Sequence, residues 1–597
     1  MWRGFVLLFL FNSVISQDDL SFGVDVEKAP KVQRQLSQGW IEGYELETEF
    51  GTANVFKKIP FIEPPVGPLR FHAPVPVRSW DGILDATKPA PACPQNYTKM
   101  SPYSLKYVKE QSEDCIYLNV YADKRCNQER LCPVVFYIHG GEDQYGTPRE
   151  FNDVEIARHF AAREIVWVLP SFRLGILGWM DIGPQIWPDA PYNAGLLDLI
   201  QALRWTQREI LTFGGNPRDI VLFGHSSGGH LGSALLSSVA VEEKAFSRAI
   251  LFSPGSVANA HLNRPRSSFI LEKVGCYLND KLEPLNMTSR LDCLRKKPVE
   301  ELINAGIPLE GMRPQGFSGA QPDGYTYIEP TVAGYMNRWH PLPLLIGVTA
   351  VENDFDLGYN DTDVCLNYVT LLCPNRKDEC DQKCKDRYAH GRELPISASF
   401  VHAFSWILGF VNTNQGAPTW YQVWDEYHAN AHADELIFAF GLNAEEGFHR
   451  RNVGHQIMKK FFPRLLRKFI LEGSVVDGWL PMDAEGRGYY YNNIKAIGKP
   501  SNYTIVEKPH FVPNVIFDEP AIDFWWRDLA HVHWHKGDQG EEEEEASGLP
   551  HPPSPKEEGV PWWIFVLVII IMLILAMSLF VVIGVPIIWK TRQSTKH

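Results

Sequence analysis

The sequence predicts an α/β fold, a mostly parallel sheet with helices on both faces, followed by one C-terminal transmembrane helix. Three observations predict it. Short β-branched and aromatic runs alternate with stretches of helical periodicity, the pattern of strand–helix–strand units. At 45% hydrophobic and 12% aromatic residues, a chain of 597 can bury a large core and is not globally disordered. One apolar run near the C-terminus is long enough to cross a bilayer.

Taken in chain order, residues 1–16 read as a signal peptide. Arg3 supplies the charged start and Phe5 to Phe11 the apolar run, with cleavage expected after Ser16. That run is too short to span a membrane. Residues 17–535 read as one globular ectodomain without internal repeats. Within it Val134–Ile138, Ile165–Leu169, Ile220–Phe223, Ala249–Phe252, Leu344–Val348 and Trp420–Trp424 are expected buried strands. Leu196, Leu199, Ile200, Leu203 and Ile210 recur at helical spacing between two of them.

Composition then changes. Residues 536–561 hold the five glutamates Glu541–Glu545, then Gly548, Pro550, Pro552, Pro553 and Pro555. Charge repulsion and proline stiffness make this an extended stalk. Residues 562–589, Trp562 to Trp589, form the expected transmembrane helix, with Trp562, Trp563 and Trp589 at interfacial positions. Residues 590–597 carry Lys590, Arg592 and Lys596, which places this tail on the cytoplasmic side. A cleaved leader plus this span gives a single-pass type I topology, with the ectodomain extracellular or lumenal. A lipid-anchor signal would end in its hydrophobic tail, and here a basic tail follows. Ten cysteines and the sequons at Asn96, Asn286, Asn360 and Asn502 fit an oxidising, glycosylating compartment. A net charge of −14 argues against a nucleic-acid partner.

The chemistry begins where Ile220–Phe223 runs into Gly224-His225-Ser226-Ser227-Gly228-Gly229 and a helical stretch follows. This is G-x-S-x-G between a strand and a helix. So sharp a turn brings the two backbones together, and Gly224 and Gly228 remove side chains that would clash. The turn presents the Ser226 hydroxyl at the top of the sheet. A glycine-rich turn with a capping serine is the bland reading of the same residues. A serine hydroxyl is a poor nucleophile at neutral pH and needs a histidine base oriented by a carboxylate. After Leu344–Val348 come three acids, Glu352, Asp354 and Asp356; after Trp420–Trp424 come His428 and His432. Pattern alone chooses neither the acid nor the histidine. His455 lies in a basic helical stretch and reads as a solvated or packing residue.

These residues resemble the type B carboxylesterase and cholinesterase family, from roughly residue 30 to 530. The resemblance rests on the serine elbow together with Ser112-Glu-Asp-Cys-Ile-Tyr-Leu-Asn-Val120, Asn193-Ala-Gly-Leu-Leu-Asp198 and Phe213-Gly-Gly-Asn-Pro217. It implies the α/β-hydrolase fold and a Ser-His-Glu triad. Its acid maps to Glu352 in Gly347-Val-Thr-Ala-Val-Glu352, and its histidine to His432 in His432-Ala-Asp-Glu-Leu436. It also implies an oxyanion hole from the backbone N–H groups of Gly141, Glu142 and Ser227. There the chain departs: the family's run of three glycines is Gly140-Gly141-Glu142. Where the cholinesterases hold choline with a tryptophan, this chain has Leu105, so a choline ester is not expected.

The resemblance implies the disulfides Cys93–Cys115 and Cys276–Cys293. The family's third disulfide is missing, with Ile522 where a cysteine would stand. Cys126 and Cys132 flank a short excursion and are expected to pair. Cys365, Cys373, Cys380 and Cys384 leave three connectivities open. They contain no C-x-x-C pair, so disulfides are favoured over zinc, and no metal or cofactor is expected. Two function classes follow. One is a serine carboxylic ester hydrolase acting on a small-molecule ester. The other is an adhesion protein similar to neuroligins and gliotactins, with a protein partner on an opposing cell. The anchor, stalk and Glu142 favour the second; a complete triad favours the first, which is the reading taken.

Overall fold

All six runs read as buried strands are strands in the computed structural model. It describes residues 24–530 apart from single residues and short stretches, the longest of which are 255–262, 311–318, 327–336, 353–364, 389–395 and 443–451. The signal peptide, stalk, expected transmembrane helix and tail lie outside the described residues, as do Asn360, Asp354, Asp356 and His428. No helix among the described residues is long and apolar enough to cross a membrane.

The strands are β1 (Lys31–Gln35), β2 (Trp40–Thr48), β3 (Gly51–Pro60), β4 (Ile83–Asp85), β5 (Tyr117–Asp123), β6 (Cys132–Ile138), β7 (Val166–Pro170), β8 (Gly215–His225), β9 (Arg248–Phe252), β10 (Leu344–Thr349), β11 (Thr419–Trp424), β12 (Tyr489–Asn492), β13 (Lys495–Lys499), β14 (Asn502–Glu507) and β15 (His510–Val512). One large sheet runs β1-β2-β3-β5-β7-β6-β8-β9-β10-β11-β12-β15, with β4 beside β2; β13 and β14 form a separate hairpin. From β7 to β12 every pairing is parallel. The expectation of a mostly parallel sheet describes this centre and misses its flank, since β1, β2, β3 and β5 are joined antiparallel. The edge strand β1 alternates half-exposed and exposed residues, so it lacks the continuous apolar run that marks a central strand.

Central strands are buried on both faces because period-2 alternation sends their side chains to two cores. Val134, Phe136, Ile220 and Leu222 face one core with Leu196, Leu231 and Phe404. Val135, Tyr137, Val221 and Phe223 face the other with Phe440, Phe462 and Leu466. Register sets the ends level: His225 lies opposite Phe252, Phe252 opposite Gly347, and Thr349 opposite Trp424. The loops that leave the carboxyl ends of β8, β9, β10 and β11 therefore emerge side by side, where such sheets place reactive groups.

The cysteines pair as Cys93–Cys115, Cys126–Cys132 and Cys276–Cys293, and the open set resolves as Cys365–Cys384 and Cys373–Cys380. Ile522 is buried on the short helix Glu519–Ile522. Asn286 caps the helix Met287–Lys296 through its Oδ1 and is exposed, Asn502 is exposed at the start of β14, and Asn96 is half-buried.

Candidate active site

β8 ends at His225, and the helix Ser227–Leu236 begins two residues later. Ser226 alone makes the turn, at φ 56° and ψ −128°. A serine in that region stores about 1–3 kcal/mol of strain. The surroundings hold it there. Its N–H donates to the Phe252 carbonyl at 2.9 Å, and its carbonyl accepts from Gly229 and His230 at 2.9 and 3.1 Å. A Cβ on Gly228 would lie 2.2 Å from the Ile138 carbonyl oxygen, so only glycine lets helix and strand meet.

His432 Nε2 stands 2.8 Å from Ser226 Oγ, and its Nδ1 stands 2.5 Å from Glu352 Oε2. With Nδ1 donating to the carboxylate, Nε2 is left to accept the serine proton. Glu352 Oε1 accepts from Ser253 Oγ at 2.6 Å and from the Thr349 N–H at 2.7 Å. Glu352 is buried, just past the end of β10. Burial pushes its carboxyl up, but His432, then His402 and Ser253, pull it down further, and the net direction is below the usual value. For His432 burial pushes the imidazole down. The charge and hydrogen bond of Glu352 outweigh that, with Glu435 and Glu142 adding to them, and the net direction is up. These are the directions expected of an orienting carboxylate and a base that becomes an imidazolium.

The sequence left His428 and His432 open and set His455 aside. His432 meets the serine, just before the helix Asp434–Phe440. His455 is buried in the helix Val453–Glu472, with its ring edge-on to Phe438 at 5.5 Å, so it packs rather than reacts. His428 lies outside the described residues.

The loop after β6 presses against this site. A Cβ on Gly140 would lie 2.8 Å from the Ser226 Cβ. Gly141, Glu142 and Asp143 follow with φ of 114°, 55° and 59°. The Asp143 N–H donates to Ser227 Oγ at 3.1 Å and ties the loop to the start of the helix. The stretch that carries Gly141 and Glu142 is thereby held against the start of the helix at Ser227. Glu142 is half-buried and is one of the charges that raise His432. Its carboxylate therefore lies within electrostatic reach of the imidazole.

Two residues near Ser226, His432 and Glu352 had no clear signal in the sequence. His225 is buried with its ring centroid 5.0 Å from that of His432. Its Nε2 is 3.6 Å from Glu435, which burial, then Glu352, raises to about 8. Ser253 was detectable only as a polar residue following a buried strand.

A family model described as the carboxylesterase family matches residues 29–502. The chain belongs to the carboxylesterase family. The described sheet, with helices over both faces, is that family's α/β-hydrolase fold. Among its relatives is carboxylesterase 4A of Bos taurus, 30% identical over 74% of this chain and 88% of the relative. Pyrethroid hydrolase Ces2e of Rattus norvegicus is 30% identical, over 58% of this chain and 58% of the relative. Neuroligin-3 of Mus musculus is 32% identical, over 66% of this chain. The match spans 54% of that relative, about half its length. The family thus joins relatives named as hydrolases to a neuroligin.

Proposed function

We propose that this chain is a carboxylic ester hydrolase working through an acyl-enzyme. The observation that carries the reading is the unbroken run from Ser226 Oγ through both nitrogens of His432 to the Glu352 carboxylate, at 2.8 and 2.5 Å. Ser226 Oγ attacks the ester carbonyl while Nε2 of His432 takes its proton. The resulting oxyanion accepts from the backbone N–H groups of Gly141, Glu142 and Ser227. His432 then protonates the departing alcohol. A water, deprotonated by the same nitrogen, attacks the acyl group, and collapse releases the acid and restores Ser226. Glu352 keeps the imidazole in the tautomer that makes this possible and stabilises the imidazolium.

Adhesion is the second reading, supported by the neuroligin relative and by Glu142 in the oxyanion loop. A binding surface has no physical need for a strained serine with an aligned base and a buried, ionised acid, so the hydrolase reading is preferred. The relatives are consistent with a membrane or secreted protein. We infer a glycosylated ectodomain held by the span at 562–589, with sugars at the accessible asparagines among Asn96, Asn286, Asn360 and Asn502. Labelling with an organophosphonate probe tests the central claim: wild type is expected to take up the probe and Ser226→Ala is not. Equal labelling of the two would remove Ser226 from the mechanism.

A further inference from the structure

Behind the triad lies a second histidine–carboxylate pair. His402, on the helix Ile396–Asn414, has its side chain fully buried. Its Nδ1 is 2.8 Å from Asp518 Oδ2, and its Nε2 is 3.0 Å from the Thr349 carbonyl oxygen. A carboxylate and a peptide carbonyl can only accept. With an ionised Asp518 both ring nitrogens donate, and an imidazole that donates twice is an imidazolium. A buried cation needs a paired charge, which Asp518 supplies from just before the helix Glu519–Ile522. The Phe517 ring packs edge-on against His402 at 5.1 Å and shields the pair.

Thr349 is the last residue of β10, and it is the residue that holds Glu352. Its N–H donates to Glu352 Oε1 at 2.7 Å, and its Oγ1 accepts from the Glu352 N–H at 3.0 Å. Glu352 itself sits at φ 53°, a conformation that surrounding contacts must maintain. One hydrogen-bonded path thus runs from Asp518 through His402, Thr349, Glu352 and His432 to Ser226.

We propose that His402 and Asp518 are positioning residues for this triad, a buried imidazolium–carboxylate pair that pins the end of β10 and sets the place and charge of Glu352. This rests on the hydrolase reading above. Neither residue touches the reacting atoms. The pair acts in two ways. Mechanically, it fixes the peptide from which Glu352 hangs, and small misplacements of catalytic groups are costly. Electrostatically, it sets a positive charge behind Glu352, and His402 follows His432 among the charges that lower that carboxyl. Among the described residues, the other groups named against this region are not cations. Tyr421 of β11 is a buried phenol raised by burial and by Glu352 and Asp518. Ser253 after β9 is neutral, and Glu435 beyond His432 is a carboxyl raised by burial.

The test compares wild type, His402→Gln and Asp518→Asn on an aryl ester across pH. His402→Gln keeps a donor of similar size and removes the charge. We expect kcat to fall about tenfold or more with KM near wild type. The acid limb of kcat/KM is expected to move up by roughly half a pH unit, because loss of a positive charge lets the Glu352–His432 couple keep its proton longer. A merely structural role would lower Tm and leave that limb in place. Ser226→Ala, run alongside, tests the hydrolase reading separately. A readout independent of turnover is the ¹⁵N signature of His402 at neutral pH, with both ring nitrogens protonated in wild type and this state lost in Asp518→Asn. A neutral His402 ring overturns the proposal whether or not the protein hydrolyses esters. An unmoved acid limb in active His402→Gln protein overturns it as well.

Discussion

Replacing Glu142 by glycine separates the charge of that side chain from its backbone role. At φ 55° a residue other than glycine carries about 1 kcal/mol of strain, which Glu142→Gly relieves. Glycine gives back about 0.5–1 kcal/mol through the greater freedom of the unfolded chain. Tm is therefore expected to change little, so a rate change would not report folding. The charge is the larger effect. For a carboxylate about 5 Å from an oxyanion, at an effective dielectric near 20, the repulsion is about 3 kcal/mol. The same carboxylate attracts the imidazolium of His432, and an attraction of that kind across about 8 Å returns roughly 2 kcal/mol. The balance of about 1 kcal/mol opposes the transition state, so Glu142→Gly is expected to raise kcat by about fivefold, with less effect on KM. The pH profile supplies an independent sign. Glu142 helps raise His432, so removing it lowers that imidazole, and the acid limb of kcat/KM moves to lower pH. Steady-state hydrolysis of a short-chain aryl ester between pH 5 and 9 reads both effects. An unchanged kcat together with an unmoved acid limb would refute the argument, because the carboxylate would then not face the site. Inactivity of both proteins on a broad ester panel, with no probe on Ser226, would favour the adhesion reading instead.

Ser226→Ala, His432→Ala and Glu352→Gln should each reduce turnover strongly, and the double variants should lose little more, since the three act as one unit; additive losses would contradict a shared mechanism. Because His432 is raised, wild-type kcat/KM should fall on acidification through a value above the ordinary histidine range of about 6.5, and a lower midpoint would show that Glu352 does not control it. Burial raises Glu435 to about 8, so the folded state holds its proton where the unfolded chain has lost it, and stability falls as pH rises from about 4.5 to 8. Glu435→Gln should therefore gain Tm over wild type progressively from pH 5 to 8; a constant difference would argue against a buried neutral acid. Truncation before Trp562 should release glycosylated protein into the medium, while intact chain stays with membranes through an alkaline carbonate wash; extraction of the intact chain would exclude a spanning helix.

Features under the control of local pattern and short-range chemistry could be read without the fold. The central strands were legible because burial on both faces leaves continuous apolar runs, as in Val134–Ile138 and Ile220–Phe223. The elbow was legible because only glycines at 224 and 228 allow so close a turn. The flanking antiparallel strands were missed because edge strands such as β1 expose alternate residues and carry no such run. The proposed triad was half legible. Residue types and order narrowed the acid to three and the histidine to two, and the family resemblance pointed to Glu352 and His432. Their meeting depends on distance across the fold: Ser226 and His432 are 206 residues apart in sequence and 2.8 Å apart in space. The pairing of Cys365 with Cys384 and of Cys373 with Cys380 has the same character, since spacing cannot say which sulfurs folding brings together. So has the His402–Asp518 pair: a histidine in an apolar helix and an aspartate in a loop carry no mutual signal until folding sets both ring nitrogens against acceptors and takes water away.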